Sequence, residues 1–182
     1  AVREVTEALV EYRFNDAAAA AYRFVWNVYC DWYVELSKPI LFIGNWADNA
    51  IKAMASEPEY KAYTLQNLYE VVLSPDFLKS EASRLQAEGA QGAHLLADAA
   101  VSIEASPSRQ AYLDRIVETR ATAAWALDEI LKLLHPFMPF ITEELWAVTA
   151  EEGPKRKTML ALSDWSALEG LTDDKAEAEI GW

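Results

Sequence analysis

LLHPFMPFITEELW, residues 133–146, sets two prolines three positions apart between two helix-forming runs. Proline has no amide hydrogen and its ring collides with the carbonyl one turn back, so one helix cannot run through both. Pro136 therefore stops one helix, and Pro139 suits the first position of the next, where the missing donor costs nothing. Upstream, Tyr112, Ile116, Ala123, Leu127, Ile130 and Leu134 recur at helical spacing, with Asp114, Arg115, Glu118, Asp128, Glu129 and Lys132 on other faces. That pattern predicts a long helix from about Ser108 to Leu134. Lys132 and His135 bring the sign favoured at its C-terminus. Downstream, Glu143 and Glu144 lie early enough to favour the dipole of the next helix, whose Phe140, Ile141, Leu145 and Trp146 are expected to face the core.

A second informative stretch runs from Asp16 to Pro39. Asn15 or Asp16 can cap its first turn, and Lys38 before Pro39 is expected to end it. Ala21, Val25, Val28, Trp32 and Leu36 share one face, and Tyr22, Trp26, Tyr29 and Tyr33 form an aromatic stripe beside it. Arg23, Asn27, Asp31 and Glu35 leave only a narrow polar strip, with Arg23 placed to meet Asn27 or Asp31. So apolar a helix is expected at the centre of a bundle, with most of Tyr22, Trp26, Tyr29 and Trp32 packed.

The remaining elements follow from similar signals. Val2, Val5, Leu9 and Tyr12 predict a first helix near Glu4 to Tyr12. Breaks at Pro58, at Ser74-Pro75 and around Gly89 to Gly92 divide residues 45–106 into two or three shorter helices, polar and alanine-rich. Residues 157–165 are short and apolar, and fit an extended segment laid across the bundle. No alternating strand pattern or internal repeat is evident. The expected fold class is all-α, a helical bundle of residues 1–44 and 107–162 with an inserted helical subdomain over 45–106 and a C-terminal extension over 163–182.

Composition bounds the chemistry. The chain has 182 residues, 52% of them hydrophobic, enough for a substantial core. No run is long enough to span a bilayer and no signal peptide is visible, so a cytoplasmic location is the expectation and no membrane partner is. Its first residue is not methionine and its last ones look like a helix just starting, so it reads as a piece of a longer protein. Cys30 is the single cysteine and His94 and His135 the only histidines, which gives neither a disulfide nor zinc-ligand spacing. Glu143 and Glu144 lack the Glu-x-x-His partner of a bundle metal site, so capping is their expected role. His135 has no serine or cysteine beside it, Cys30 sits inside a helix, and no glycine-rich phosphate loop exists. Neither a catalytic residue nor a metal is expected.

Together, the residues YRFNDAAAAAYRFVWNVYCDWYVELSKPIL and ETRATAAWALDEILKLLHPFMPFITEELW resemble the helical anticodon-binding domain of class I aminoacyl-tRNA synthetases. The Cys30-Asp31-Trp32-Tyr33 tetrad, the His135 to Phe140 corner followed by Thr142 to Trp146, and the terminal Ala176-Glu177-Ala178-Glu179 run are most similar to the valyl branch. The resemblance covers residues 1–43 and 115–182. It implies a tRNA partner, the anticodon stem-loop of tRNA(Val), and no DNA partner. It also implies a catalytic domain elsewhere in the same parent chain, using ATP and magnesium. The ATP-binding motifs of that class are missing here, so no cofactor is expected in this fragment and no aminoacylation by it. Two departures stand out: the family usually joins the central and proline-ended helices by a short link, and its bundle usually starts with a further upstream helix.

Recognition of unpaired bases calls for aromatic faces to stack them, polar groups to read their edges and cations to hold phosphates. The candidates are Trp32, Tyr33 and Val34 for stacking or edge reading, Asp31 and Glu35 as acceptors, and Arg13, Lys38, Lys155, Arg156 and Lys157 for phosphates. The plainer reading keeps the basic triplet as a solvated loop. The net charge of −13 divides into −3 over residues 1–44 and 107–162, −5 over 45–106 and −5 over 163–182. The family-like part is thus close to neutral, which permits RNA binding without indicating it. A helical protein-interaction module with no RNA role is the competing reading, favoured by the acidity and the alanine-rich insertion.

Overall fold

The structure, a computed structural model, describes residues 1–153, 155–168, 170, 171, 173, 175 and 178. Pro154 and most of the terminal Ala176-Glu177-Ala178-Glu179 run lie outside these residues. The described residues form helices, with no strand among them: α1 (Val2–Val10), α2 (Phe14–Arg23), a π-helical segment (Phe24–Val34), α3 (Glu35–Ser56), α4 (Leu65–Val72), α5 (Pro75–Ala87), α6 (Ala93–Glu104), α7 (Arg109–Leu134) and α8 (Pro139–Glu152). Short 3₁₀ turns occupy Pro58–Tyr60 and Leu160–Leu162. No helix among the described residues is long and apolar enough to cross a membrane. The chain divides into two compact units, residues 1–32 with 124–182, and residues 33–123.

In the first unit, Val5 and Ala8 of α1 meet Ala17, Ala20 and Ala21 of α2, with Leu133 completing a small core. Alanine is the side chain that lets two helix backbones approach closely. The turn between them closes with Tyr12 N–H donating to Leu9 O at 3.1 Å and Arg13 N–H to Ala8 O at 2.8 Å. Tyr12 takes the left-handed conformation there, at φ 59°. Tyr12 is therefore 80% exposed, not on the buried face with Val5. Nor is α2 capped by Asn15 or Asp16: Arg13 holds the cap position, and Asp16 accepts from its guanidinium.

The proline corner forms as expected, α7 ending at Leu134 and Pro139 opening α8. Thr142, almost fully buried, accepts from His135 Nδ1 at 2.8 Å and donates to Met138 O at 2.8 Å. With the single hydroxyl hydrogen directed to Met138 O, Nδ1 is the donor of the pair. The outer face of α8 departs from expectation: Phe140 is 92% exposed, and Ile141 and Leu145 are exposed as well. The corner turns the buried Thr142 inward, and that rotation sends Phe140 and Ile141 out. Glu143 caps a different element from the one expected, accepting Leu160 N–H at 2.7 Å and Ala161 N–H at 3.2 Å at the start of the last 3₁₀ turn. Leu160 is buried, and Trp165 Nε1 donates to Thr6 Oγ1 at 2.8 Å, so this segment returns to α1.

The second unit holds the larger core. Ile43, Ala47 and Ile51 of α3 pack with Leu68 and Val72 of α4, Leu78 of α5, Leu96, Ala100 and Ile103 of α6, and Tyr112 and Ile116 of α7. The helix breaks fall at Pro58, at Ser74-Pro75 and around Gly89 to Gly92 as read from the sequence. Thr64 and Asn67 cap α4 reciprocally, and Ser74 caps α5.

Pro39 does not end its helix; α3 runs through it to Ser56. The residues beyond it, Ile43, Ala47 and Ile51, are buried in the core of the second unit, and that burial outweighs the cost of a proline inside a helix. Nearby, Ser37 Oγ donates to Val34 O at 3.0 Å, and Ser37 is buried.

Candidate nucleic-acid interface

The aromatic stripe expected in the core is not there. Tyr22 is 62% exposed, Trp26 56% and Trp32 47%, and the π-helical segment has no buried residue. The change of helical repeat accounts for this. Tyr22 lies in the last α-turn, so Trp26 four residues on still stands above it. The rings are parallel, 5° apart, with centroids 6.2 Å from each other. Tyr29 and Tyr33, further along in the π-helical segment, are half-buried. What remains in the first unit is an offset aromatic stack facing solvent, with Arg23 and Asn27, both exposed, next to it in the chain. Arg23 sits 3.7 Å from Glu4, a loose pair between two well-exposed side chains. Asp31 is exposed and makes no ion pair among the described residues.

Arg13 is less available. Its guanidinium meets Glu11 at 2.7 Å and Asp16 at 2.5 Å, and the hydrogen bond to Asp16, then that to Glu11, raises its pKa. It borders a cleft of about 300 Å³ that also receives Glu4, Glu7, Asp16 and Arg23. Carboxylates outnumber guanidinium groups there, which disfavours a phosphate.

Of the basic triplet, Arg156 is a structural clamp. It forks Asp128 with two bonds of 2.6 Å, donates to Thr149 Oγ1 at 2.9 Å and lies 3.8 Å over the Trp146 ring. With four of its five donors turned inward, Nε to Trp146 O included, it is poorly placed to hold a phosphate. Lys155 and Lys157 are exposed on either side.

The other candidates belong to the second unit. Tyr33 is half-buried and donates to Thr119 O at 3.1 Å, and burial pushes its phenol pKa up. That hydroxyl is committed to α7. Val34 is half-buried too. Glu35 and Lys38, both exposed, pair with each other, so each neutralises the other. Of the expected stacking groups, Trp32 is exposed while Tyr33 and Val34 are half-buried; the exposure of Tyr22 and Trp26 was not foreseen, because helical spacing alone assigns them to a core. Among the described residues no group of three or more His, Cys, Asp or Glu is disposed to hold a metal, and Cys30 is a half-buried free thiol.

Comparison with known proteins places this geometry. The family model described as the anticodon-binding domain of tRNA ligase matches residues 1–74 and 96–182, leaving out α5, the turn after it and the start of α6. The chain is 43% identical over 182 residues to a valine--tRNA ligase of Caulobacter vibrioides, covering all of this chain and 13% of that protein. It is 39% identical to the valine--tRNA ligase of Rhodopseudomonas palustris over an alignment of 215 residues, all of this chain and 15% of the relative. It is likewise 39% identical to that of Brucella suis, covering 12% of it. The chain thus spans only 12–15% of the length of these relatives. No solved structure matches it. The chain belongs to the anticodon-binding domain family of tRNA ligases.

Proposed function

We propose that this chain is the part of a valine--tRNA ligase that holds the anticodon end of tRNA(Val), while valine is attached to the tRNA elsewhere in the parent protein. The observation that carries the reading is identity of 39–43% to valine--tRNA ligases across the whole chain. Parent chemistry of that kind uses ATP and magnesium in a catalytic domain; no residue of this chain is assigned to hold either. A cytoplasmic location follows from the same reading. The family match leaves the interaction module without an RNA role unfavoured.

The near-neutral bundle shapes the expected binding. Without a clustered excess of lysine and arginine, affinity rests more on bases than on backbone. The test is filter binding of the chain to the valine-anticodon hairpin, beside the same hairpin with its anticodon changed, at low and raised salt. Tighter binding of the valine hairpin at both salts is expected. Equal retention of the two hairpins, or of neither, would sink the reading.

A further inference from the structure

We infer that Tyr22 and Trp26 form a base-stacking platform, on which an unpaired base of the RNA loop lies against the exposed face of the pair. This deepens the reading above and rests on it. Two large rings more than half in water leave a broad apolar face open, since an aromatic pair contributes most when its area is buried. The helix itself sets the rings parallel, 5° apart with centroids at 6.2 Å, where α2 gives way to the π-helical segment. π-helical turns are found often at functional sites.

The alternative occupant of such a face is an apolar side chain of another protein, and the neighbours argue against it. Arg23 and Asn27 follow Tyr22 and Trp26 directly in the chain, and both are exposed. An amide that can donate and accept, beside a cation, suits the edge of a base and its phosphate better than an aliphatic contact. Among the described residues Arg23 pairs with Glu4, at 3.7 Å, and a phosphate can displace that pair. By contrast, Tyr33 is half-buried with its hydroxyl on Thr119 O, which leaves less of its ring face open.

The platform is tested with the valine-anticodon hairpin carrying a fluorescent adenine analogue at each loop position in turn. Wild type is expected to quench one loop position strongly, because a ring stacks on it. The Tyr22→Leu/Trp26→Leu variant is expected to lose that quenching and to bind about ten- to a hundredfold more weakly, the effect of one lost base stack. Trp26→Phe keeps a ring face and should retain most of the quenching. The Leu variant must match wild type in circular dichroism; if it does not, Trp26→Ser with Tyr22 intact serves in its place. Wild-type affinity and quenching in a folded Leu variant would overturn the platform while leaving the anticodon reading intact. Wild type that fails to tell the valine hairpin from the altered one would overturn that reading, and the platform with it.

Discussion

Arg156 and Asp128 are joined by two parallel hydrogen bonds of 2.6 Å, Nη1 to Oδ2 and Nη2 to Oδ1, with both side chains largely covered. The guanidinium plane also rests on Trp146. A lysine can keep the charge but neither the fork nor the stack. Arg156→Lys should therefore cost about 2–3 kcal/mol in chemical denaturation. Lys155→Ala and Lys157→Ala, on exposed neighbours, should stay within about 0.5 kcal/mol. Equal costs for the three would mean that the clamp contributes nothing.

At the proline corner, Thr142 offers His135 an acceptor that valine lacks. Thr142→Val keeps the shape but strands the Nδ1 hydrogen in a covered site, at about 1–3 kcal/mol. Thr142→Ser keeps the hydroxyl and gives up one methyl, about 0.8 kcal/mol. Thermal melts of the two variants should rank in that order, valine below serine.

Gly44 of α3 lies close against side chains of α7. A Cβ there would stand 2.7 Å from Ile116 Cγ2 and 2.8 Å from an Arg120 guanidinium nitrogen. Alanine would normally stabilise a helix interior by about 0.5–1 kcal/mol relative to glycine. Overpacking costs about 1–3 kcal/mol, and here it also pushes Arg120 from Asp48 at 2.8 Å and Asn45 at 3.0 Å. The clash should win, so Gly44→Ala is expected to lower the urea midpoint. A raised midpoint would show that Arg120 moves aside at no cost.

Alkali should act on the second unit through its tyrosines. Burial raises Tyr33, Tyr69 and Tyr112 above the ordinary 10.0, and Tyr69 is raised further by its hydrogen bond to Asp48. A raised folded pKa means that the unfolded chain ionises first. The tyrosines' contribution is fully present below the unfolded value and is lost as pH climbs through the folded ones. Denaturation midpoints should thus fall from about pH 10 upward. Tyr69→Phe should make that fall shallower, whereas an unchanged slope would remove Tyr69 from the account.

The elements set by local signals were legible in the sequence: the Pro136 to Pro139 corner, the breaks at Pro58 and Ser74-Pro75, and the helix ending at Leu134. Proline and glycine act within one turn, so no distant partner has to be known. Pro39 was misread because a proline's local cost can be outweighed by distant packing, here the burial of Ile43, Ala47 and Ile51 beyond it. The π-helical winding from Phe24 to Val34 hid the exposure of Trp26, whose face can be named only once the helical repeat is known. Arg156 was misread for a different reason: its partner Asp128 lies 28 positions away, and nothing in Lys155-Arg156-Lys157 says which of three cations finds a carboxylate.

The pairing of Trp165 with Thr6 across 159 positions has a consequence for synthesis. A chain leaving the ribosome releases α1 and α2 first, but Leu133, which completes their core, comes much later. Residues 33–123 are contiguous and can close as soon as Ala123 has emerged. The middle of the chain is therefore finished before its beginning. A chain cut between Ala123 and Leu133 would carry a completed centre flanked by an α1–α2 hairpin still waiting for its last wall.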